Sequence, residues 1–525
     1  MGEGLSGAGR IGVELRVGVT GHQWLDPSDA SLGEVVRDAL TRIRAACTSS
    51  STDATPVGLT VVSSLAEGAD RIVAQAALAM GARLEVVLPL AEADFRADFA
   101  DERSAGEFTA LLERAASVTV VPGNPERPEA YGAAGRMVMH RSDVLLAMWD
   151  GAPARGEGGT GALVDTAQSA GKAFCWIKVA NQTPAHAMIV AVPDSVVLLE
   201  PAAFAGLDWY NRQGVALGDS QPFPDGYPQS GPVAHWALPY FRRADRLATR
   251  LQRRFRMISR ALYVLSVVAI GVSALQITFF PEHPSVAWAE LAALLLILGL
   301  LAWSRRSRLL QRWLAVRFFA ERIRSLAFLV ELTDEGALKT ATPDDEDDGP
   351  VNEWMRRAIS ELWIQAPRRE IAPADLVAQS RVRLADEWVL PQVTYHRATS
   401  RRSDHLRHVF GVLTFVLFGL SVVAALVHAM HWVDSEHGVD SVDFMSVLVP
   451  AAAAGLGGYA AQRDYARLAI RSSAMARVLN RAVDDLQDAQ TMDELLRIVQ
   501  RIEDTLEGES SDWYAAARLR EPELP

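Results

Sequence analysis

Four long apolar runs dominate the hydrophobic pattern of the chain. Ala261–Phe280 has no charged residue and is followed, after the short break Pro281–Ser285, by Val286–Trp303. Val409–His428 and Phe444–Ala461 form a second pair of this kind. About 20 apolar residues cross the hydrocarbon core of a bilayer as a helix. The pattern predicts four transmembrane helices in two hairpins; the alternative interpretation is four buried core helices of a large soluble protein.

Arginines at the ends of these runs predict an orientation. Eight arginines lie in Phe241–Arg260 and seven in Ser304–Arg324, whereas the break inside the first pair has none. The second pair has arginines on both outer sides and an intervening loop with acidic residues but no Lys or Arg. The positive-inside rule then places the outer ends in the cytoplasm. We expect a multi-pass protein of the plasma (inner) membrane whose N-terminus, C-terminus and soluble domain are cytoplasmic.

Glu290 is the one Asp, Glu, Lys or Arg residue inside the four runs. A carboxylate within a span is costly and usually faces protein or water. We therefore predict that Glu290 marks a functional, pore-lining face, within reach of Gln276 and Thr278. The alternative is that its side chain reaches the outer headgroups.

Small residues in the last run, Ala451–Ala454 and Gly455–Gly458, suit close packing of membrane helices. Four spans offer little polar surface with which to line a pore inside one subunit. We predict a homo-oligomer; the alternative is that the small residues pack helices within one chain.

Before the first run, short β-branched segments alternate with amphipathic ones. This alternation predicts an α/β, Rossmann-like domain with a parallel sheet and helices on both faces. The predicted strands are Leu15–Thr20, Leu59–Ser63, Leu84–Leu88, Val118–Val121, Val144–Trp149 and Phe174–Val179. The predicted helices include Ala30–Cys47, Gly68–Met80, Phe108–Ala116 and Gly161–Ala170.

Polar, glycine-containing stretches follow three of these strands. Ligands of such sheets bind at the carboxyl ends of the strands, and glycines with free N–H groups at a helix start attract phosphate. The stretches predict a nucleotide-type pocket, although Glu67 and Asp70 would also serve simply to cap a helix. The candidate ligand-binding residues are Gly18, Thr20, Gly21, His22, Ser63, Ser64, Glu67, Gly68, Asp70, Arg71, Asp150, Gly151, Arg155, Gly158, Gly159, Thr160 and Gly161.

The net charge and the number of cysteines exclude some classes of binding partner. The net charge of −12 argues against a general nucleic-acid binder. The two cysteines, Cys47 and Cys175, are too few for a disulfide scaffold or a cysteine metal site. We expect a nucleotide, cyclic-nucleotide or ADP-ribose-type signal as the ligand, the lipid bilayer as the other partner, and neither a metal nor a resident cofactor.

The segment Ser63–Leu88 resembles the Ser-Gly-x-Ala-x-Gly-Ile-Asp region of the DNA-processing protein A family. Gly156–Thr160 resembles the Pro-Gly-Gly-x-Gly-Thr loop of the "lonely guy" phosphoribohydrolases. Both families belong to the SLOG superfamily, so the resemblance implies a nucleotide-binding SLOG domain. The phosphoribohydrolases place a catalytic Glu three residues after the loop threonine, where this chain has Leu163, and Asp165 is the nearest carboxylate. No catalytic residue is therefore assigned.

An internal repeat organises the rest of the chain. His235–Pro239 and Glu387–Pro391 share the pattern Trp-x-Leu-Pro, and each precedes a basic helix, a hairpin and another arginine-rich helix. This architecture resembles the two-transmembrane SLATT modules that accompany SLOG sensors in bacterial conflict systems. The predicted parts are a nucleotide-binding domain at 1–212, a linker at 213–234, a first membrane module at 235–340, an acidic linker with cytoplasmic helices at 341–386 and a second membrane module at 387–525.

Three functions fit these patterns. The leading hypothesis is a membrane effector of anti-phage defence in which a nucleotide-derived signal on the SLOG domain gates a channel or permeabilises the membrane. The second is a membrane-tethered nucleotide phosphoribohydrolase or N-glycosidase. The third is a membrane protein that handles single-stranded DNA, against which the acidic composition counts.

Overall fold

The structure, a computed structural model, is divided into two compact units. We call Arg10–Gly214 with Thr333–Pro367 the sheet unit, and Met1–Gly9, Val215–Leu332 and Arg368–Pro525 the helical unit. The residues that the structure describes are 9–47, 51–99, 101–121, 126–153, 159–180, 186–215, 222–283, 285–330, 332, 350–367, 373–430 and 436–518.

The sheet unit is built on seven strands in the order β4-β3-β2-β1-β5-β6-β7. All neighbours run parallel except β6 and β7, which are antiparallel. The central β1 is almost entirely buried, as expected for a parallel strand covered on both faces. The strands are β1 Val13–Gly21, β2 Val57–Ser63, β3 Arg83–Leu88, β4 Ser117–Val120, β5 Val144–Trp149, β6 Ala173–Val179 and β7 Ala187–Ala191.

Helices cover both faces of this sheet, so the predicted α/β fold is confirmed. α1 packs with α2, and α5 packs with α6. Val138 and Ala134 of α5 bury the β2 residue Val62 and the β3 residue Val87. The helices of the sheet unit are α1 Ala30–Ala46, α2 Ala69–Ala79, α3 Glu92–Arg96, α4 Glu102–Leu112, α5 Arg127–Arg141, α6 Thr160–Ser169, α7 Pro201–Arg212 and α11 Pro350–Gln365.

One predicted helix is displaced and several elements were not predicted. Helix α4 begins at Glu102, six residues before the predicted Phe108, because the Asp101 side chain caps it by accepting a hydrogen bond from the Ser104 N–H. β7, α5 and α7 have no counterpart among the predicted elements. Helix α11 falls within the stretch 341–386, for which we expected an acidic linker with cytoplasmic helices, and it packs into the sheet unit against α7 and β1.

A buried ion network holds α11 at the amino end of β1. Arg16 of β1 donates to both carboxylate oxygens of Glu361, at 2.7 and 2.6 Å. Arg357 donates to Asp143, which precedes β5, at 2.9 and 3.1 Å. Arg16 and Glu361 are 3% and 1% exposed, so neither charge has water as an alternative partner. The network anchors α11 at the edge of the sheet opposite to the predicted ligand loops.

The helical unit contains the four apolar runs in helices. They lie in α8, α9, α13 and α14, and only 6–17% of each most apolar window is buried. Phe415 and Trp288, for example, are 79% and 71% exposed. Such exposure excludes a soluble core for these helices and fits a lipid environment. The helices are α8 Pro232–Phe279, α9 Ser285–Ser307, α10 Leu309–Leu329, α12 Pro373–Arg383, α13 Leu390–Ala429, α14 Glu436–Arg463, α15 Tyr465–Asp488 and α16 Met492–Arg518.

The two membrane modules share one backbone device. In each module the second span joins the following helix through a single non-glycine residue in the left-handed region: Arg308 (φ 47°) between α9 and α10, and Asp464 (φ 46°) between α14 and α15. This conformation is uncommon for residues with a side chain. Its occurrence at corresponding positions supports the duplication inferred from the sequence. A π-helical turn, Leu384–Val389, precedes Leu390 and Pro391 at the start of the second module.

The glycines of α14 pack against α8 of the same chain. A Cβ atom at Gly455 would lie 2.6 Å from Cγ2 of Val267, and one at Gly458 would lie 3.0 Å from the Tyr263 ring. At least these small residues therefore serve contacts between the two modules within one subunit. Assembly into a homo-oligomer stays a prediction.

Candidate functional site

The three predicted loops meet at one edge of the sheet. β1 lies between β2 and β5, and the loops that follow these three strands therefore leave the sheet side by side. The chain moves outward from β1 to β4 on one side and then crosses to β5 on the other. This reversal makes the gap between β1 and β5 the topological switch point, where ligands of doubly wound sheets bind.

His22 and Asp150 bridge this switch point. Nε2 of His22 lies 3.1 Å from Oδ1 of Asp150 and accepts the Asp150 backbone N–H at 3.2 Å. Both side chains are partly exposed, at 22% and 29%. The N–H of Ala152, and then His22, hold the pKa of Asp150 below its ordinary value. An anionic acceptor and an imidazole are thus presented together at the place where the sheet opens.

The loop from Ser63 to Gly68 carries two residues in the left-handed region. Leu65 has φ 56°, and its N–H donates to the Ser63 hydroxyl at 3.0 Å. Gly68, at the N-cap of α2, has φ 77°, and a Cβ atom there would lie 2.3 Å from the His22 carbonyl oxygen. Only glycine fits this close approach. Left-handed non-glycine residues are uncommon and concentrate at ligand sites, which marks this loop as a candidate.

Asp70 and Arg71 point into the protein rather than toward a ligand. Asp70 accepts from the Ser63 hydroxyl at 2.9 Å and from the Ser64 N–H at 3.0 Å. Arg71 is 1% exposed, donates to the Leu65 carbonyl at 3.2 Å, and lies 4.6 Å from the centre of the Phe99 ring. Both residues therefore shape the loop from beneath.

Ser104, at the start of α4, is a loop partner that the sequence did not indicate. Its hydroxyl accepts from Arg71 at 2.8 Å and is hydrogen-bonded to Glu67. Ser104 is about forty residues away in sequence and lies in no recognisable motif. Glu67, predicted as a ligand carboxylate, is therefore tied to α4.

Asp70 makes the stability of the folded protein depend on pH. Burial raises its pKa from 3.8 to about 6, against the hydrogen bonds from Ser63 and Ser64. The folded state therefore holds the proton more tightly than the unfolded chain, and this contribution to stability is present at low pH and lost as the pH rises through 6.

We expect the stability of the wild type relative to Asp70→Asn to increase by on the order of 2 kcal/mol as the pH falls from about 7 to about 4. Asparagine keeps an acceptor oxygen for Ser63 and Ser64 but has no proton to bind. Denaturant unfolding of both proteins across this range measures the difference. A difference that does not change with pH would contradict the assignment.

The candidate ligand-binding residues of β1 lie at different distances from the sheet edge. Gly18 lies within the strand, where a Cβ atom would be 2.7 Å from the Ser142 hydroxyl oxygen, and Thr20 is buried beside it. At the strand end, a Cβ atom at Gly21 would lie 2.4 Å from Cβ of Ala69. Gly18 and Gly21 therefore permit close packing, and His22 is the β1 candidate that reaches the edge.

The third loop is described in part. Gly151, with φ 90°, turns the chain away after Asp150, while Arg155 and Gly158 lie outside the described residues. Gly159 is the N-cap of α6, and Thr160 and Gly161 form its first turn without a side-chain cap. Uncapped N–H groups at a helix start are available to an anion.

The helix that follows the third loop does not supply the hydrolytic carboxylate. Leu163, at the position of the phosphoribohydrolase glutamate, is 7% exposed and lies in the core. Asp165 is exposed on α6. The geometry therefore does not favour the hydrolase hypothesis.

Aromatic rings flank the switch point, which the sequence did not indicate. Trp24 stacks on His22 with ring centres 5.3 Å apart and is 43% exposed. Trp176 donates its indole N–H to the Trp149 carbonyl at 3.0 Å, and its ring lies 3.3 Å from where a Cβ atom of Gly151 would be. Exposed aromatic faces beside N–H groups that are free to bind a phosphate suit a ligand with a flat ring and a phosphate.

Glu290 lies in the second turn of α9 and is partly exposed. Within the described part of the chain, neither Gln276 nor Thr278 is hydrogen-bonded to it. Its assignment to a functional face stays a prediction.

Two family models match the helical unit. The family described as SMODS and SLOG-associating 2TM effector domain 3 matches residues 239–331, and that described as SMODS and SLOG-associating 2TM effector domain 1 matches residues 385–513. Each match contains one of the two hairpins, so the prediction of two SLATT modules is confirmed. No curated protein matches the chain. The protein is thus a membrane protein with an effector module of the conflict or defence type.

Proposed function

We propose that the sheet unit is a SLOG-type sensor and that a nucleotide-derived signal bound at the switch point controls the membrane effector modules. The His22–Asp150 pair across the carboxyl ends of β1 and β5 is the observation that carries the proposal, because doubly wound sheets bind ligands there. The activity is opening of a pore or permeabilisation of the plasma membrane in bacterial anti-phage defence. In this arrangement both termini and the sheet unit are cytoplasmic, and the working form is a homo-oligomer.

The chemistry of the edge supports a phosphate-bearing ligand. The first turns of α2 and α6 have no side-chain cap, and both helices start at this edge. Trp24 offers an exposed ring face for a base. Asp150 is an acceptor suited to a ribose hydroxyl. A nucleotide has a group for each of these features.

Control of the membrane modules requires the ligand to bind one conformational state more tightly than the other. A difference of about 5.5 kcal/mol converts a 1:99 equilibrium into 99:1. Charge-assisted hydrogen bonds from two helix starts and stacking on an aromatic ring are together of this order. The proposal therefore needs no covalent chemistry in the sheet unit.

Thermal unfolding of the purified full-length protein in detergent, with and without added nucleotides, tests whether it binds a nucleotide. We expect one or more members of a panel of ATP, ADP-ribose and cyclic dinucleotides to raise its thermal midpoint without being consumed. His22→Ala and Gly159→Trp should weaken binding at least about tenfold, a loss of about 1.4 kcal/mol. Calorimetric titration measures the affinities, and dye release from liposomes containing the protein tests whether the same nucleotide opens the membrane.

His140→Ala is the matched control, because His140 is exposed near the end of α5, at the amino edge of the sheet. Its affinity should equal that of the wild type. Release of free base during the incubation would favour the hydrolase hypothesis instead. Equal affinity in the His22→Ala and His140→Ala proteins, or no stabilisation by any nucleotide in the panel, would contradict the proposal.

A further inference from the structure

Four arginines from both membrane modules converge at the arginine-flanked ends of the spans. Arg256 and Arg260 belong to α8, Arg402 to α13 and Arg463 to the end of α14. Burial, and then the positive charges of Arg463, Arg260 and Arg402, hold the pKa of Arg256 below its ordinary value. Arg463, Arg260 and Arg402 therefore all lie close enough to Arg256 to repel its charge, and the hydrogen bond from Arg260 to Tyr459, one turn before Arg463 on α14, joins the two modules at this place.

The cluster has two half-buried and two exposed members. Arg256 and Arg463 are half-buried, and the Nε atom of each is shielded from solvent with no hydrogen-bond partner in the described part of the chain. Arg260 and Arg402 are exposed at the rim. Aromatic side chains lie beneath them: Arg260 donates to the Tyr459 hydroxyl at 3.3 Å. Buried donors without partners are costly, so this arrangement favours an additional acceptor.

Neighbouring carboxylates are engaged elsewhere. Asp404 pairs with Arg407 at 2.8 Å and lies 3.7 Å from His408. Asp464 accepts from the N–H of Arg467 at 3.4 Å, at the start of α15. The charged or polar groups that shift the pKa of Arg256 most are three arginines and Tyr459, and no carboxylate is among them. Each of these two carboxylates thus has a contact outside the cluster.

The depth of the cluster indicates what neutralises it. Arg260 directly precedes the apolar run Ala261–Phe280, and Arg463 follows the run Phe444–Ala461 by two residues. Groups at the ends of membrane spans lie at the level of the headgroups, where phosphates of anionic lipids are concentrated. A guanidinium binds a phosphate through two parallel hydrogen bonds, and an Nε–H takes part in that geometry.

We propose that Arg256, Arg260, Arg402 and Arg463 form a binding site for one phosphate group, carried by an anionic phospholipid of the adjoining leaflet. Because α8 belongs to the first module and α13 and α14 to the second, an occupied site ties the basic ends of the two modules together. The same guanidinium chemistry would hold a free phosphate from solution. The site is independent of the ligand that we place at the sheet edge.

The full-length protein in neutral detergent, with and without added lipid, tests this site. We expect phosphatidylglycerol to raise the thermal midpoint more than phosphatidylcholine does, and native mass spectrometry to retain bound phosphatidylglycerol. Arg256→Gln with Arg463→Gln should weaken this binding roughly thirtyfold, since each arginine near an anionic surface is worth about fivefold in affinity. If this pair fails to fold, Arg402→Gln at the exposed rim should still weaken binding roughly fivefold.

The control removes the same charge from the same helix. Arg253 and Arg254 of α8 are exposed. Arg253 lies three residues before Arg256, and Arg254 lies six residues before Arg260. Arg253→Gln with Arg254→Gln should therefore keep most of the affinity. Equal losses in the cluster and control proteins would show diffuse surface attraction and overturn the site, as would equal stabilisation by the two lipids and by phosphate-free detergent.

Inorganic phosphate and pyrophosphate, added without lipid, distinguish the two sources. Weak or absent stabilisation by these ions assigns the site to the lipid headgroup. Stabilisation as strong as that by phosphatidylglycerol, lost in the cluster protein and kept in the control, supports the phosphate site but assigns it to a soluble phosphate.

Discussion

Replacing Glu361 by alanine is expected to destabilise the sheet unit by about 3–5 kcal/mol, because it leaves the Arg16 guanidinium buried without its main partner. Burial alone would lower the pKa of Arg16, but the hydrogen bonds and charge of Glu361 reverse this effect and raise it. After the substitution Arg16 keeps Glu85, whose nearest carboxylate oxygen is 3.4 Å from Nε. Arg357 would also lose a contact of 3.1 Å.

Denaturant unfolding measures this effect, and hydrogen exchange of β1 and α11 localises it.

Glu353→Ala is the matched control on the same helix. Among the hydrogen bonds described, the Glu353 side chain accepts one, from the exposed N–H of Glu200 at 3.2 Å. It should change stability by less than about 1 kcal/mol. Arg16→Met combined with Glu361→Leu should recover much of the loss, because it removes both buried charges. A loss in Glu361→Ala no larger than that in the control would contradict the role of the network.

The ion network acts on a helix that is joined along the chain to both membrane modules. Helix α11 lies in sequence between the two membrane modules, yet it is part of the sheet unit. The chain therefore passes from the first module into the sheet unit and out again before the second module begins. Any change in how the sheet unit holds α11 acts on a segment joined covalently to both modules. Under the proposed function, Glu361→Ala should also weaken the response of the membrane modules to the nucleotide.

Gly455→Leu is expected to disrupt the packing of α14 on α8. Its Cβ atom alone would lie 2.6 Å from Cγ2 of Val267, and a β-branched valine in a helix has one strongly preferred side-chain conformation and does not move aside. Overpacking of this kind costs about 1–3 kcal/mol or separates the helices. We expect a lower thermal midpoint in detergent, and slower disulfide formation between cysteines introduced on α8 and α14.

Gly419→Leu is the matched control, since Gly419 lies in the apolar run of α13 and, among the described residues, no atom of another element lies within 4 Å of where its Cβ would be. It makes the same change of side chain in an apolar run and should leave the midpoint near that of the wild type. The milder pair Gly455→Ala and Val267→Ala should restore packing, because it exchanges volume across the contact. A Gly455→Leu protein with the stability and crosslinking rate of the control would exclude this contact between the modules.

The four apolar spans and six of the seven described strands, in their order along the chain, followed from the sequence alone. In lipid every backbone polar group must be satisfied within its own segment, so the length of an apolar run is sufficient to identify a span. The strand predicted at Val144–Trp149 has the observed bounds, and the predicted ends of β1, β2, β3, β4 and β6 all lie within two residues of the observed ones. A buried parallel strand reads as a continuous β-branched run because both its faces are covered. The repeat of Trp-x-Leu-Pro likewise indicated two modules.

The tertiary structure decided which charged groups lie at the proposed ligand site and which hold the fold. Asp70 and Arg71 sit in a motif that suggests phosphate binding, yet the loop turns both inward, while His22 and Asp150, 128 residues apart, meet at the sheet edge. Arg16 is hydrogen-bonded to Glu361 across 345 residues, and Arg260 of the first module is hydrogen-bonded to Tyr459 of the second. Local periodicity reports only which face of an element is apolar. The partner of a buried charge depends on contacts between distant elements, and these exist only once the chain has folded.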